Sequence, residues 1–158
     1  MVTYKDLRRS IVSIIRQAVT QPLDIHFNHV DKSNKSYVFV EIVASKVSLD
    51  AVYYQRTIDI DLQFVMIPPE DLTIKRNDLM EIAESLDQIL QSSFKVSDRY
   101  LTVINSNFHI FDEILHYEFT LNFTDATERK KIGESKAELM RELDLKLKQQ
   151  EEIIISEE

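Results

Sequence analysis

The sequence contains no cysteine. That excludes disulfides, thiolate nucleophiles and zinc–thiolate centres, and it fits a reducing compartment. It contains a single glycine, Gly133. Loops that cradle phosphate need glycine so that the backbone can approach the anion, so P-loops and dinucleotide fingerprints are excluded. The GxSxG nucleophile elbow is excluded with them. No apolar run approaches the ~18 residues needed to span a bilayer, so no membrane partner is expected. The opening MVTYKDLRRSIV carries charges where a signal peptide needs an apolar run, and export by that route is not expected. Positive charge is also scarce, with a formal net charge of −8. General nucleic-acid binding requires a basic footprint that displaces counterions, and the chain as a whole repels DNA. Arg8, Arg9 and Arg16 could make a local basic patch on one helix. A solvated helix face is the simpler reading.

What is present is a chain of 158 residues with 44% hydrophobic residues. A single domain of that size buries roughly 68–70% of its unfolded surface and needs no staples. Composition divides it into a core over 1–124 and a charged C-terminal segment over 125–158. That segment reads as partly helical or strand, with an end open to disorder. Thr3 can cap a helix whose stripe is Leu7, Ile11, Ile14, Ile15 and Ala18. Pro22 follows it, and L23-D24-I25-H26-F27 reads as a short strand. Asp31 to Ser36 is a polar turn. S36-Y37-V38-F39-V40-E41-I42-V43 reads as a strand, Ser45 to Tyr53 as loop or strand edge, and Tyr54 to Met66 as a strand closed by Pro68-Pro69. Arg76 to Phe94 has a helical stripe of Leu79, Ile82, Ala83, Leu86, Ile89 and Leu90. Tyr100 to Phe111, bent near Asn105, and Ile114 to Thr124 are strands joined by Asp112-Glu113. In the tail, Glu134 to Glu142 reads as helix, Leu143 to Leu147 as strand or continued helix, and Ile153 to Ile155 as a small apolar cluster. The order α-β-β-β-α-β-β predicts an α+β fold, a mostly antiparallel sheet with helices packed on one face.

The segment T57-I58-D59-I60-D61-L62-Q63-F64 alternates strictly, so Ile58, Ile60, Leu62 and Phe64 share one face, and Asp59, Asp61 and Gln63 the other. Alternate strand residues are about 6.6 Å apart. Two carboxylates at that spacing repel by about 0.6 kcal/mol in water and about 2.5 kcal/mol at an effective dielectric of 20. They can coexist on an open face without a counter-ion. A metal or acid/base site would need further ligands and a pocket. His26 and His29 fall on opposite faces of a strand and are poor joint ligands. His109 and His116 flank the Asp112-Glu113 turn and, with Asp59 or Asp61, could meet on the polar face. The readings are a solvated or interface face, which the sparse ligand set favours, and a small metal-dependent hydrolase using Asp59, Asp61, His109 and His116. No serine sits in a nucleophile context, so no enzyme and no cofactor are expected.

The order of pieces resembles a known family. It rests on the N-terminal amphipathic helix, the strand Y37-V38-F39-V40-E41-I42, and Y54-Q55-R56-T57-I58-D59-I60-D61-L62-Q63-F64 ending at Pro68-Pro69. The helix around M80-E81-I82-A83-E84-S85-L86, the hairpin from Phe111 to Phe123 and the segment M140-R141-E142-L143-D144-L145-K146-L147 complete it. Over roughly residues 1–147 the chain is similar to the tail terminator, or tail completion, proteins of tailed phages and prophages of Gram-positive bacteria. The resemblance implies a non-enzymatic α/β subunit that assembles with itself into a ring, usually of six, on the finished tail tube. Its implied partners are the tail tube protein and the head connector or stopper protein. DNA would pass through the ring without specific binding. The implied place is the virion tail, after assembly in the host cytoplasm. Asp59, Asp61, Gln63, His116 and Glu118 would then line the channel or a subunit contact. A head-closure or other neck component is the alternative within the same setting.

Overall fold

The computed structural model describes residues 1–28, 35–68 and 76–126. The first helix, α1 (Tyr4–Ala18), begins where the Thr3 hydroxyl accepts a hydrogen bond from the Asp6 N–H at 3.1 Å. This satisfies one of the four N–H groups that a helix start leaves without a partner. Leu7, Ile11, Ile14 and Ile15 are buried along one stripe. The second helix, α2 (Arg76–Leu90), buries Leu79, Ile82, Ala83, Leu86 and Leu90.

Among the described residues six strands form one sheet: β1 (Asp24–His26), β2 (Tyr37–Ser48), β3 (Tyr53–Val65), β4 (Ser93–Val96), β5 (Arg99–Phe111) and β6 (Ile114–Ala126). Their spatial order is β1-β2-β3-β6-β5-β4. Only β1 runs parallel to its neighbour, β2; the other four pairings are antiparallel. The α+β class predicted from the sequence is the class observed. The core joins Ile58, Ile60, Leu62 and Phe64 of β3 with Leu115, Tyr117, Phe119 and Leu121 of β6, and both helices pack on that face. The helix-covered face is therefore mostly apolar, and most polar residues of β3 and β6 lie on the opposite face.

Three boundaries differ from the sequence reading. Strand β2 continues through Ser48 into residues read as loop or strand edge, with Ser45 opposite Thr57 and Ser48 opposite Tyr54. Residues 43–48 are exposed on both faces, so no alternation of apolar and polar residues marks them. The hairpin is closed by Asp50, whose carboxylate accepts from the Val52 and Tyr53 N–H groups at 2.7 Å each. These bonds, Tyr53 first, hold its carboxyl below the ordinary value.

Helix α2 stops at Leu90 rather than Phe94, because Gln91 takes a left-handed φ of 37° that ends the helix. Ser93–Val96 then forms β4, with Phe94 and Val96 buried. The bend expected near Asn105 is a β-bulge between Val103 and Asn105. Strand β6 runs to Ala126, two residues past the composition boundary at 124. His29, Asp31 to Asn34, Pro69, Gly133 and the tail segments within 134–158 lie outside the described residues.

Candidate functional site

The polar face rests on the register between the two central strands. On β3 and β6, Gln63 stands opposite His116, Asp61 opposite Glu118, and Asp59 opposite Thr120. All five residues named from the sequence, Asp59, Asp61, Gln63, His116 and Glu118, therefore lie on one face. Four of them make hydrogen bonds within it. The Gln63 amide donates to Asp61 Oδ2 at 2.9 Å, and His116 Nδ1 lies 3.1 Å from the same oxygen. The Thr120 hydroxyl donates to Asp59 Oδ1 at 2.7 Å. Further along, the Gln55 amide donates to Asn122 Oδ1 at 2.9 Å. Thus Asp61 is clamped by an amide and an imidazole, whereas Asp59 is held by a neutral hydroxyl and stays open to water.

His109 stands opposite His116, and their rings stack 4.7 Å apart with nearly parallel planes. The hairpin therefore brings together the two histidines that flank its turn. His116 joins them to Asp61, while Asp59 is engaged by Thr120. Among the described residues, no group of three or more histidines, aspartates and glutamates has the geometry to hold a metal ion. A buried orphan remains: Asp61 Oδ1 has no hydrogen-bond partner among the described residues. The local hydrogen bonds of Asp61 converge on its other oxygen.

Sequence reasoning missed one member of the face. Glu41 of β2 stands opposite Asp61, which stands opposite Glu118. The result is a row of three carboxylates across three strands, with Glu41 and Glu118 exposed. Like charges directly opposite one another on a sheet are unfavourable. The alternation of β2 could have placed Glu41 on the outer face, but the row itself depends on register between distant segments.

A second polar cluster lies on the helix-covered side, at the far end of the sheet. Arg56 and Asp125 are buried there. Asp125 Oδ2 accepts from the Val2 N–H at 3.0 Å, and Arg56 donates to the Val2 carbonyl at 2.9 Å. Arg99 pairs with Asp125 at 3.2 Å. Burial alone would raise the Asp125 carboxyl. The N–H groups of Val2 and Ala126, the charge of the chain's amino end and Arg99 outweigh it and hold the group below its ordinary value. This cluster fastens the start of the chain to the end of β6 and is structural. On the same side the Tyr117 hydroxyl donates to Asp87 at 2.6 Å. Burial and that carboxylate push its ionisation well above the ordinary range.

The face is polar, acid-bearing and spread across strands rather than gathered in a cleft. Arg8, Arg9 and Arg16 are exposed on α1, with Arg8 stacked over the Phe27 ring at 5.0 Å. No helix among the described residues is long and apolar enough to cross a membrane. No curated protein matches the chain. The family model for phage tail terminator proteins matches residues 6–133, which span both helices and all six strands. The chain belongs to the phage tail terminator protein family, and it is a structural component of the virion tail.

Proposed function

We propose that copies of this chain close into a ring, of six in the usual case for the family, that caps the finished tail tube. The ring ends tube growth and presents a surface to the head connector or stopper protein. Assembly takes place in the host cytoplasm. The observation that carries this reading is the wide polar face of β3 and β6, built on two 13-residue strands and facing away from both helices. Its polar groups bond mainly to one another, and its net charge is acidic. A catalytic role finds no comparable support, because the ligands for the hydrolase reading are already engaged with one another and with Thr120.

In a ring, Asp59, Asp61 and Glu118 face the channel or the neighbouring subunit. A negative lining suits a conduit for DNA, because it repels phosphates and prevents adhesion. Light scattering behind a sizing column gives the mass in solution, and a mass near six subunits is expected. Replacing Asp59 and Asp61 together by lysine is expected to leave the fold intact and to impair DNA release from the virion. Normal infection by the double variant would contradict the channel lining.

A further inference from the structure

Among the described residues the sheet has two open edges, and their shapes are complementary. Among the described residues, β1 covers β2 only at Tyr37–Phe39, so Val40–Ser48 is unpaired on that side. On the opposite margin β4 covers β5 only at Ser93–Val96 against Arg99–Thr102. The Val103 N–H still reaches the Ser92 carbonyl at 3.2 Å, which leaves Ile104–Phe111 without a strand partner among the described residues on that side. The covered stretches sit at opposite ends of the sheet. Tyr37 is level with Val65, Ile114 and Phe111, whereas Arg99 lies beyond the other end of that ladder. Each margin is thus a notch with a step, and the steps face opposite ways.

Open edges are usually blunted by lysine, proline or inward charge. The sequence I104-N105-S106-N107-F108-H109-I110-F111 contains no lysine, arginine, acid or proline. Ile104 and Phe111 are exposed on it, as Val43 and Val47 are on the β2 edge. An uncharged edge of this kind invites another strand.

The polarity of the edges says which one. Along β2, β3, β6 and β5 each strand opposes the next, so β2 and β5 run in opposite directions. A second copy placed beside the first brings its β2 antiparallel to β5 with the alternation unbroken. The backbone groups match as well. Ser36 accepts from Asp24 on the β1 side, and Leu49 donates to Tyr53 on the β3 side. Alternation therefore turns Val40, Ile42, Ala44, Lys46 and Ser48 toward the open edge. On β5, Val103 points outward, and the bulge resets the alternation so that Ser106, Phe108 and Ile110 point outward.

Without a slide, Val40 is level with Phe108 through Leu62 and Tyr117. Sliding the second copy until Ala44 meets Phe108 is a shift of four residues, about 13 Å at about 3.3 Å per residue. Both notches then close, with Ile42 opposite Ile110, Ala44 opposite Phe108 and Lys46 opposite Ser106, and Val40 level with the Asp112 turn. A stagger between neighbours is what a closed sheet requires, and a head-to-tail contact of this kind generates a ring when its rotation closes.

We propose that neighbouring copies of this chain join by antiparallel pairing of β2, residues 40–48, with β5, residues 104–111, in the register that sets Ala44 opposite Phe108. This rests on the ring reading above and specifies its subunit contact. In that register Ser45 and Asn107, both exposed, form a pair without mutual hydrogen bonds. Such pairs have Cα atoms about 4.5 Å apart, within the range of about 4.4–6.8 Å that a disulfide spans. Within one chain the two residues are three strand spacings apart, about 14 Å, so a disulfide between them must join two copies.

The native chain has no cysteine, so the test has no background. The full chain carrying Ser45→Cys and Asn107→Cys is expected to give a ladder of disulfide-linked oligomers on oxidation. Either single variant should give dimers at most. Adding Ala44→Pro, which removes an N–H from the open edge only, should abolish the ladder while circular dichroism and melting temperature stay close to the parent. A mass near six subunits with no ladder would overturn the edge pairing and leave the ring standing. A monomer with no ladder would overturn the edge pairing and remove support for a ring that forms without the tube. A ladder unaffected by Ala44→Pro would also overturn the pairing, because contact would then not depend on the edge.

Discussion

The two faces of β3 are written in alternate residues of one strand, yet they obey different rules. Ile58, Ile60, Leu62 and Phe64 are essentially inaccessible, and their side chains are held by packing against both helices. Asp59, Asp61 and Gln63 stand between them and are held by one or two hydrogen bonds each to neighbours on β3 and β6. The inner face decides whether the chain folds, since removing buried groups costs transfer energy and leaves a cavity. The outer face contributes little to stability, so its composition is available for assembly and passage. A face made of mutually bonded polar groups leaves few free donors for nonspecific adhesion, which fits the proposed conduit better than a catalytic pocket.

The contrast can be broken most severely from the inside. Phe119→Ala, in the core between Phe94 and Tyr117, is expected to cost about 3–5 kcal/mol. Denaturant unfolding would measure it. Asp125→Asn should cost about 1–3 kcal/mol at neutral pH, because it weakens a buried acceptor of backbone N–H groups. The folded-state carboxyl is depressed, so its contribution is present above the unfolded value. It is lost as pH falls through the folded value. The melting-temperature gap between Asp125→Asn and the parent should therefore close below about pH 4. Tyr117→Phe removes the hydroxyl bonded to Asp87 and is expected to cost about 1 kcal/mol.

The outer face should behave otherwise, with Asp59→Ala changing stability by less than about 0.5–1 kcal/mol. A loss as large as that of the inner variants would show that the polar face is part of the stabilising core. The smallest effect has the opposite sign. The β5–β6 turn places Asp112 and Glu113 at φ of 49° and 60°. A two-residue turn with both φ positive favours glycine at its second position. Glu113→Gly should raise stability by about 0.5–1 kcal/mol.

The same contrast explains what the sequence discloses. Strands that bury one face announce themselves, as β3 and β6 do through strict alternation, and α1 and α2 through helical stripes. The five polar-face residues follow from that alternation. The end of β2 does not announce itself, because Val43 to Ser48 have no buried side to set the period. Strand β4 is four residues long and follows Gln91, whose left-handed turn has no glycine to signal it. The Asp61–His116 contact and the row of Glu41, Asp61 and Glu118 depend on pairing between segments up to 77 positions apart in the chain, from Glu41 to Glu118. No local pattern encodes such a register; it is set when the inner faces of the hairpins dock on one core.

Growth of tail tubes from purified tube protein, with and without this chain, bears on the proposed role at its root. The reading predicts that adding the full-length protein stops elongation at once and leaves one ring at the growing end of each tube. Tubes that keep lengthening at the unperturbed rate, with the protein free in solution, would contradict it.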